Sequence, residues 1–172
     1  MSVTDPTPPP GSSSRETRLA ELIELHTRDF RGHPYLPEGC APFTLEAGRV
    51  VGHYHGLRLQ TTLLALLDAG GRPVARLAQT AAFGAGGQPV SAWAPYAIAL
   101  DDAAITYLDR LIRTVHVLNA GSRPGGGPLW LAVHPLHLAA VPDAHGAVFA
   151  SILRRSGLRP DGIVLELATL WI

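Results

Sequence analysis

The sequence predicts an α/β fold, and two observations carry that reading. The first is residues 129–167, which read as strand, helix, strand. Leu129–Val133 is a short apolar run, too short for a helix and suited to a strand buried on both faces. Ile163–Leu167 is a second such run. Between them, Pro142 and Asp143 mark a helix start, where the aspartate oxygen can cap free backbone N–H groups. Val148, Ile152 and Leu153 give that helix an apolar stripe, and Gly157 ends it. Two runs joined in this way form a βαβ unit with parallel strands and a right-handed crossover. The second observation is size: 172 residues, 47% of them hydrophobic, suffice for one core. Parallel folds collect chemistry at the C-terminal ends of strands. Glu166 sits at such an end, and Ala132 holds the matching place on the preceding strand.

The other elements follow along the chain. Residues 1–14, "MSVTDPTPPPGSSS", lack buried periodicity and read as a disordered tail. Ser13 or Ser14 can cap a helix over Glu16–Phe30, with Leu19, Ile23 and Leu25 on an imperfect apolar face. Pro34, Pro37, Gly39 and Pro42 make 31–42 a loop, so 15–42 is an N-terminal helix and loop. From Phe43 to Gln79 the chain is extended, with Leu57, Leu59 and Leu63–Leu67 leading into a hairpin turn at Gly70-Gly71. Residues 82–90 form a glycine-rich loop. Asp101 caps the longest helix, in which Ala104, Leu108, Leu111, Val115 and Leu118 keep a helical period. "GSRPGGGP" at 121–128 links that helix to the βαβ unit.

Composition excludes several functions. Fourteen basic and fourteen acidic side chains give no net charge, hence no field that favours nucleic acid or an anionic membrane. No apolar run reaches the roughly 18 residues a bilayer span needs, and the N-terminus lacks a signal-peptide core. The single cysteine, Cys40, rules out an internal disulfide and fits a reducing compartment. These features predict a soluble, cytoplasmic protein.

The segments "LWLAVHP", "RRSGLRPDG" and "IVLELAT" resemble, in order and spacing, the EAL domain, the bacterial phosphodiesterase that cleaves cyclic di-GMP. There the text runs "L-x-x-N-V-S", a helix closing in "GL-x-P", and "V-x-E-[IL]-T-E". Upstream, "LRLQTTLLALLDAGGRPVARLAQTAAFG" is similar to the family's opening strand, turn and signature strand, and "DDAAITYLDRLIRTVHVLNAG" to its long helix. The match covers roughly residues 57–170. Both "GRVVGHYHGL" at 48–57 and "GRPVARLAQT" at 71–80 can be the signature strand; the second fits the distance to "LWLAVHP" better. The fold this resemblance implies is a (β/α)8 barrel, which needs about 250 residues. The expectation is therefore an incomplete (β/α)8 TIM-barrel-like half with an N-terminal helix, residues 43–172 being a truncated EAL-like domain. The chain ends at Ile172, ahead of the family's downstream aspartate pair, lysine and later glutamate.

The resemblance also implies a site. EAL phosphodiesterases use two divalent cations, Mg2+ or Mn2+, to activate water and stabilise phosphoryl charge, and such hard ions need oxygen ligands. The signature glutamate falls on Leu77, followed by Ala78 and Gln79. The phosphate-contacting arginine falls on Ala81 and the metal-binding asparagine on Ala132. The fourth-strand glutamate is kept as Glu166, with Ala168 and Thr169 as its companions, and Leu64-Ala65 replaces the glutamine-proline pair. One carboxylate cannot hold a metal pair, so the resemblance implies a degenerate, catalytically inactive member with no cofactor. Its cyclic di-GMP binding should be weak or absent, and its role regulatory through protein contacts. The alternative is a fragment or relic of the phosphodiesterase, in which Glu166 is the sole surviving metal ligand.

Other chemistry is thinner. His53 and His55 flank Tyr54 and would share one face of a strand, but zinc sites want three or four ligands. His134 and His137 lie after the first strand of the βαβ unit, and Cys40 lacks a spaced partner. "PGGGP" at 124–128 precedes a strand rather than a helix, so it is no phosphate loop. Ser12–Ser14 offer no triad. Trp130 reads as core, with no basic stripe beside it for nucleic acid. A half barrel leaves strand edges open, near Leu63–Leu67 or its neighbour and at Ile163–Leu167. That predicts a homodimer, an obligate protein partner or aggregation.

Overall fold

A computed structural model describes residues 12–31, 33, 35, 36, 39–121, 125, 127–141 and 146–167. Helix α1 (Ser12–Phe30) is followed by strands β1 (Phe43–Glu46), β2 (Arg49–Tyr54), β3 (Leu57–Leu67), β4 (Pro73–Phe83) and β5 (Pro89–Val90). Helices α2 (Ala94–Ala97) and α3 (Asp102–Gly121), strand β6 (Leu129–Val133), helices α4 (Pro135–Ala140) and α5 (Ala147–Arg155) and strand β7 (Ile163–Leu167) complete the order. All seven strands belong to one open sheet, ordered β1-β2-β3-β4-β6-β7, with β5 attached to β4.

This sheet replaces the expected half barrel. Strands β1 to β4 are antiparallel neighbours, and only β4–β6 and β6–β7 are parallel. Turn chemistry is the cause. At the β3–β4 turn Asp68 N–H donates to Arg72 O and Gly71 N–H to Asp68 O, each at 2.9 Å, and Gly71 has φ 77°. Asp68 Oδ1 also accepts the Gly70 and Arg72 N–H groups at 2.9 Å. So short a connection can only reverse the chain, whereas parallel strands need a crossover of a dozen residues or more. Ala47-Gly48 (φ 47° and 69°) and His55-Gly56 (φ 45° and 77°) make equally tight turns between β1, β2 and β3. The parallel strands occur only where helices supply the crossovers.

Several finer expectations change with the topology. The two similar segments at 48–57 and 71–80 are antiparallel partners on opposite sides of β3. The outer strands are β1 and β7, so Ile163–Leu167 is an edge as expected. Leu63–Leu67 lies on β3 beyond its pairing with β2, which stops at Leu59, so it is bonded on its β4 side alone and is open on the other, also as expected. Strand β2 stops at Tyr54, and His55 turns away in the left-handed region, so His53 and His55 do not share a strand face. Helix α1 begins at Ser12, inside the segment expected to be a tail. The tail residues 1–11, the loop prolines Pro34 and Pro37, the helix start at Pro142–Asp143, and Ala168 and Thr169 lie outside the described residues. Helix α5 buries Phe149, Ile152 and Leu153, while Val148 is 46% exposed. It ends as Gly157 predicts: with φ 75° there, Leu158 N–H reaches back to Leu153 O at 2.9 Å.

The helices gather on one sheet face. Asp101 caps α3 by accepting the Ala104 N–H at 2.7 Å, and α3 runs beneath the sheet so closely that a Cβ on Gly52 would lie 2.8 Å from Val115 Cγ2. Phe30 of α1 meets Phe43 and Tyr107 edge-on at centroid distances of 5.1 and 5.3 Å, tying the N-terminal helix to β1 and α3. Strand β2 is paired to β3 only from Gly52↔Leu59 to Tyr54↔Leu57. Beyond that point Asn119 of α3 takes over. Its Oδ1 accepts the Val50 N–H at 3.0 Å and its Nδ2 donates to Val50 O at 2.8 Å. The opposite face carries Leu64, Leu66, Leu77, Trp130 and Val164, all partly exposed; Trp130 is thus half-buried on that face rather than in the core.

Candidate functional site

The middle of β4 and the C-terminal ends of β6 and β7 meet at one cavity of about 440 Å3. Ala132 and Glu166 are register partners across β6 and β7, while Leu77 pairs with Trp130 one strand over. Leu77, Ala132 and Glu166 therefore all line this cavity. Ala81 lies farther along β4, opposite Gln60, and is not part of the lining; Leu64 of β3 stands directly beside Leu77. The expected site residues are thus gathered, except Ala81. Among the described residues Glu166 is an exposed carboxylate with no hydrogen-bond or ion-pair partner.

Two groups complete the cavity. His116 rises from α3 into it, its Nδ1 2.8 Å from Thr61 Oγ1 and its Nε2 3.2 Å from Thr80 Oγ1. Burial pulls its pKa down to about 4, so the ring is neutral at pH 7. The second group is aromatic. Tyr96 of α2 stacks on His134 with centroids 4.1 Å apart and planes 17° from parallel. Trp93, just before α2, stands 6.1 Å from the His134 ring and is 64% exposed. His134 also caps α4, its Nδ1 accepting the Leu136 N–H at 3.3 Å. Burial lowers its pKa, against the opposing pull of Asp109, and this ring too is neutral at pH 7.

Behind the aromatic wall lies a closed ion pair. Arg113 Nε donates to Asp109 Oδ2 at 2.8 Å, and Asp109 Oδ1 accepts the His134 N–H at 3.1 Å. Arg113 also donates to His137 Nε2 at 3.2 Å and lies 4.5 Å over the Phe149 ring. His137 is thereby committed to structure rather than to ligand binding. These charges are almost fully buried and neutralise each other, so Glu166 is the net charge at the cavity among the described residues.

Among the described residues, no other cluster has the geometry of a catalytic or metal site. Ser156, His26 and Asp29 look like a nucleophile–base–acid series, with Ser156 Oγ 3.0 Å from His26 Nε2 and Asp29 Oδ2 3.8 Å from His26 Nδ1. Arg155, however, donates to His26 Nδ1 at 3.0 Å. An arginine can only donate, so the ring proton sits on Nε2 and points at the serine. That is the wrong tautomer for a general base, and the group is a latch between α1 and the end of α5. Cys40, His53 and His55 share a shallow surface cavity, but His53 Nε2 is engaged with Thr44 Oγ1 at 2.8 Å. Among the described residues, no three His, Cys, Asp or Glu side chains come close enough together to hold a metal ion.

The expectations missed Trp93, Tyr96, Thr80 and His116. Trp93 and Tyr96 flank Pro95 in "SAWAPYA", a pair of aromatics one helical turn apart that was the available signal. His116 had no such signal, since its partners come from β3 and β4. No described helix is long and apolar enough to cross a membrane. No protein-family model and no curated protein matches the sequence.

Proposed function

We propose that this chain is a degenerate EAL-like protein that binds rather than hydrolyses, acting in the cytoplasm as a regulator through protein contacts. One observation carries the reading: the strand-end cavity holds a leucine, an alanine and a single carboxylate where the resemblance asks for two metal ligands and a third at Glu166. Leucine and alanine supply no oxygen to a hard cation. The exposed, unpaired Cys40 fits a reducing compartment.

The test is direct. Purified protein with Mg2+ or Mn2+ leaves cyclic di-GMP intact. Metal-dependent linear product, abolished by Glu166→Gln, overturns the reading. Calorimetry at tens of micromolar protein shows no saturable heat with cyclic di-GMP. Each lost charge-assisted contact is worth about 1.5–3 kcal/mol, and two or three such losses carry a micromolar site towards millimolar.

A further inference from the structure

We propose that the strand-end cavity binds an alkyl guanidinium group, an arginine side chain presented by a protein partner, with Glu166 as its counter-charge. The inference rests on the binding role just given and names the chemistry of what is bound.

The sign of the charge comes first. Glu166 is the one formally charged side chain of the described lining, and it has no partner there. Arg113, behind the aromatic wall, is closed onto Asp109 with an N–O distance of 2.5 Å and is 3% exposed. A phosphate or carboxylate ligand would meet a like charge, whereas a cation meets a bare carboxylate. Shape comes second. The Tyr96–His134 stack and the exposed Trp93 ring are flat π-surfaces, on which a planar guanidinium stacks better than a strongly hydrated ammonium. Leu77 and Ala132 give the methylene stem an apolar floor. Thr80, held by His116 on the helix side of β4, lines the same cavity, and its hydroxyl can accept one more N–H. A carboxylate, flat aromatic rings and an apolar floor thus converge on one open cavity, a combination that suits an arginine side chain.

The experiment is a titration of the 15N-labelled full chain with a blocked Gly-Gly-Arg-Gly-Gly peptide, its citrulline counterpart and agmatine. The arginine peptide moves the Trp93 indole and the Thr80 and Ala132 amides, and Glu166→Gln weakens it at least tenfold. Because Glu166 is exposed, that variant keeps its fold, which its spectrum verifies. The citrulline peptide, isosteric but uncharged, does not bind. Equal binding of citrulline, no effect of Glu166→Gln, or shifts confined to other surfaces overturns the inference. Agmatine binding as tightly as the peptide overturns the protein source. Cyclic di-GMP turnover on the same sample would sink the non-catalytic reading instead, so the two failures are distinguishable.

Discussion

His116 is held beneath the sheet with both ring nitrogens against threonine hydroxyls, and burial brings its pKa from about 6.5 to about 4. Between those values the unfolded chain takes up a proton that the folded one refuses. Stability is therefore constant above about pH 6.5 and falls as pH drops towards 4, by about 3 kcal/mol over the window. His26, His53 and His134 are lowered too, burial being the largest cause in each, and act in the same direction. Urea unfolding at pH 7.5 and pH 4.5 checks this, and equal free energies at the two would contradict it. Asn119 is the second critical residue. Asn119→Ala strips partners from the buried Val50 N–H and C=O, costing about 1–3 kcal/mol for each group left unpaired. Faster hydrogen exchange at the Val50 amide, beyond the change elsewhere, is the expected signature.

At the scale of elements, the tight turns are both the strongest local signal and the cause of the largest misreading. Ala47 sits at φ 47° in the β1–β2 turn, a conformation that costs an L side chain about 1–2 kcal/mol. Ala47→Asn, which tolerates that region, should raise the unfolding free energy by roughly 1 kcal/mol, measured from the urea midpoint. The bounds of β6 and β7 were legible because a five-residue apolar run between polar neighbours has one sensible reading. Helix α3 was legible from Asp101 and its periodic apolar positions. The barrel is what the family resemblance implies, whereas Gly70-Gly71 asks locally for an antiparallel hairpin, and the hairpin is what forms. Helix α4 has six residues, too few to show a period in the sequence. In the site, Ala132 beside Glu166 could be read from parallel register, whereas Trp93, Tyr96 and His116 come together only through tertiary contacts that no local pattern encodes.

The whole molecule is a sheet with helices on one side and an apolar second face. Leu64 is 40% exposed there, and on the open β7 edge Leu165 and Leu167, on the helix side, are 45% and 56% exposed. A second copy meets no repulsion, since the formal net charge is zero, and unpaired edges are templates for pairing. Sedimentation should therefore show self-association that grows with concentration and is reduced in the double variant Leu64→Lys, Val164→Lys. A monomer at every concentration would show that this face stays bare. The Asn119 contact has a different consequence, best put mechanically. Among the described residues, hairpin β1–β2 is joined to the rest of the sheet by three residue pairs and the Arg58–Glu46 ion pair, and to α3 by one side-chain amide. Under load the sheet is two leaves on a short hinge, with Asn119 as the pin, and pulling on β1 should open that seam before any other.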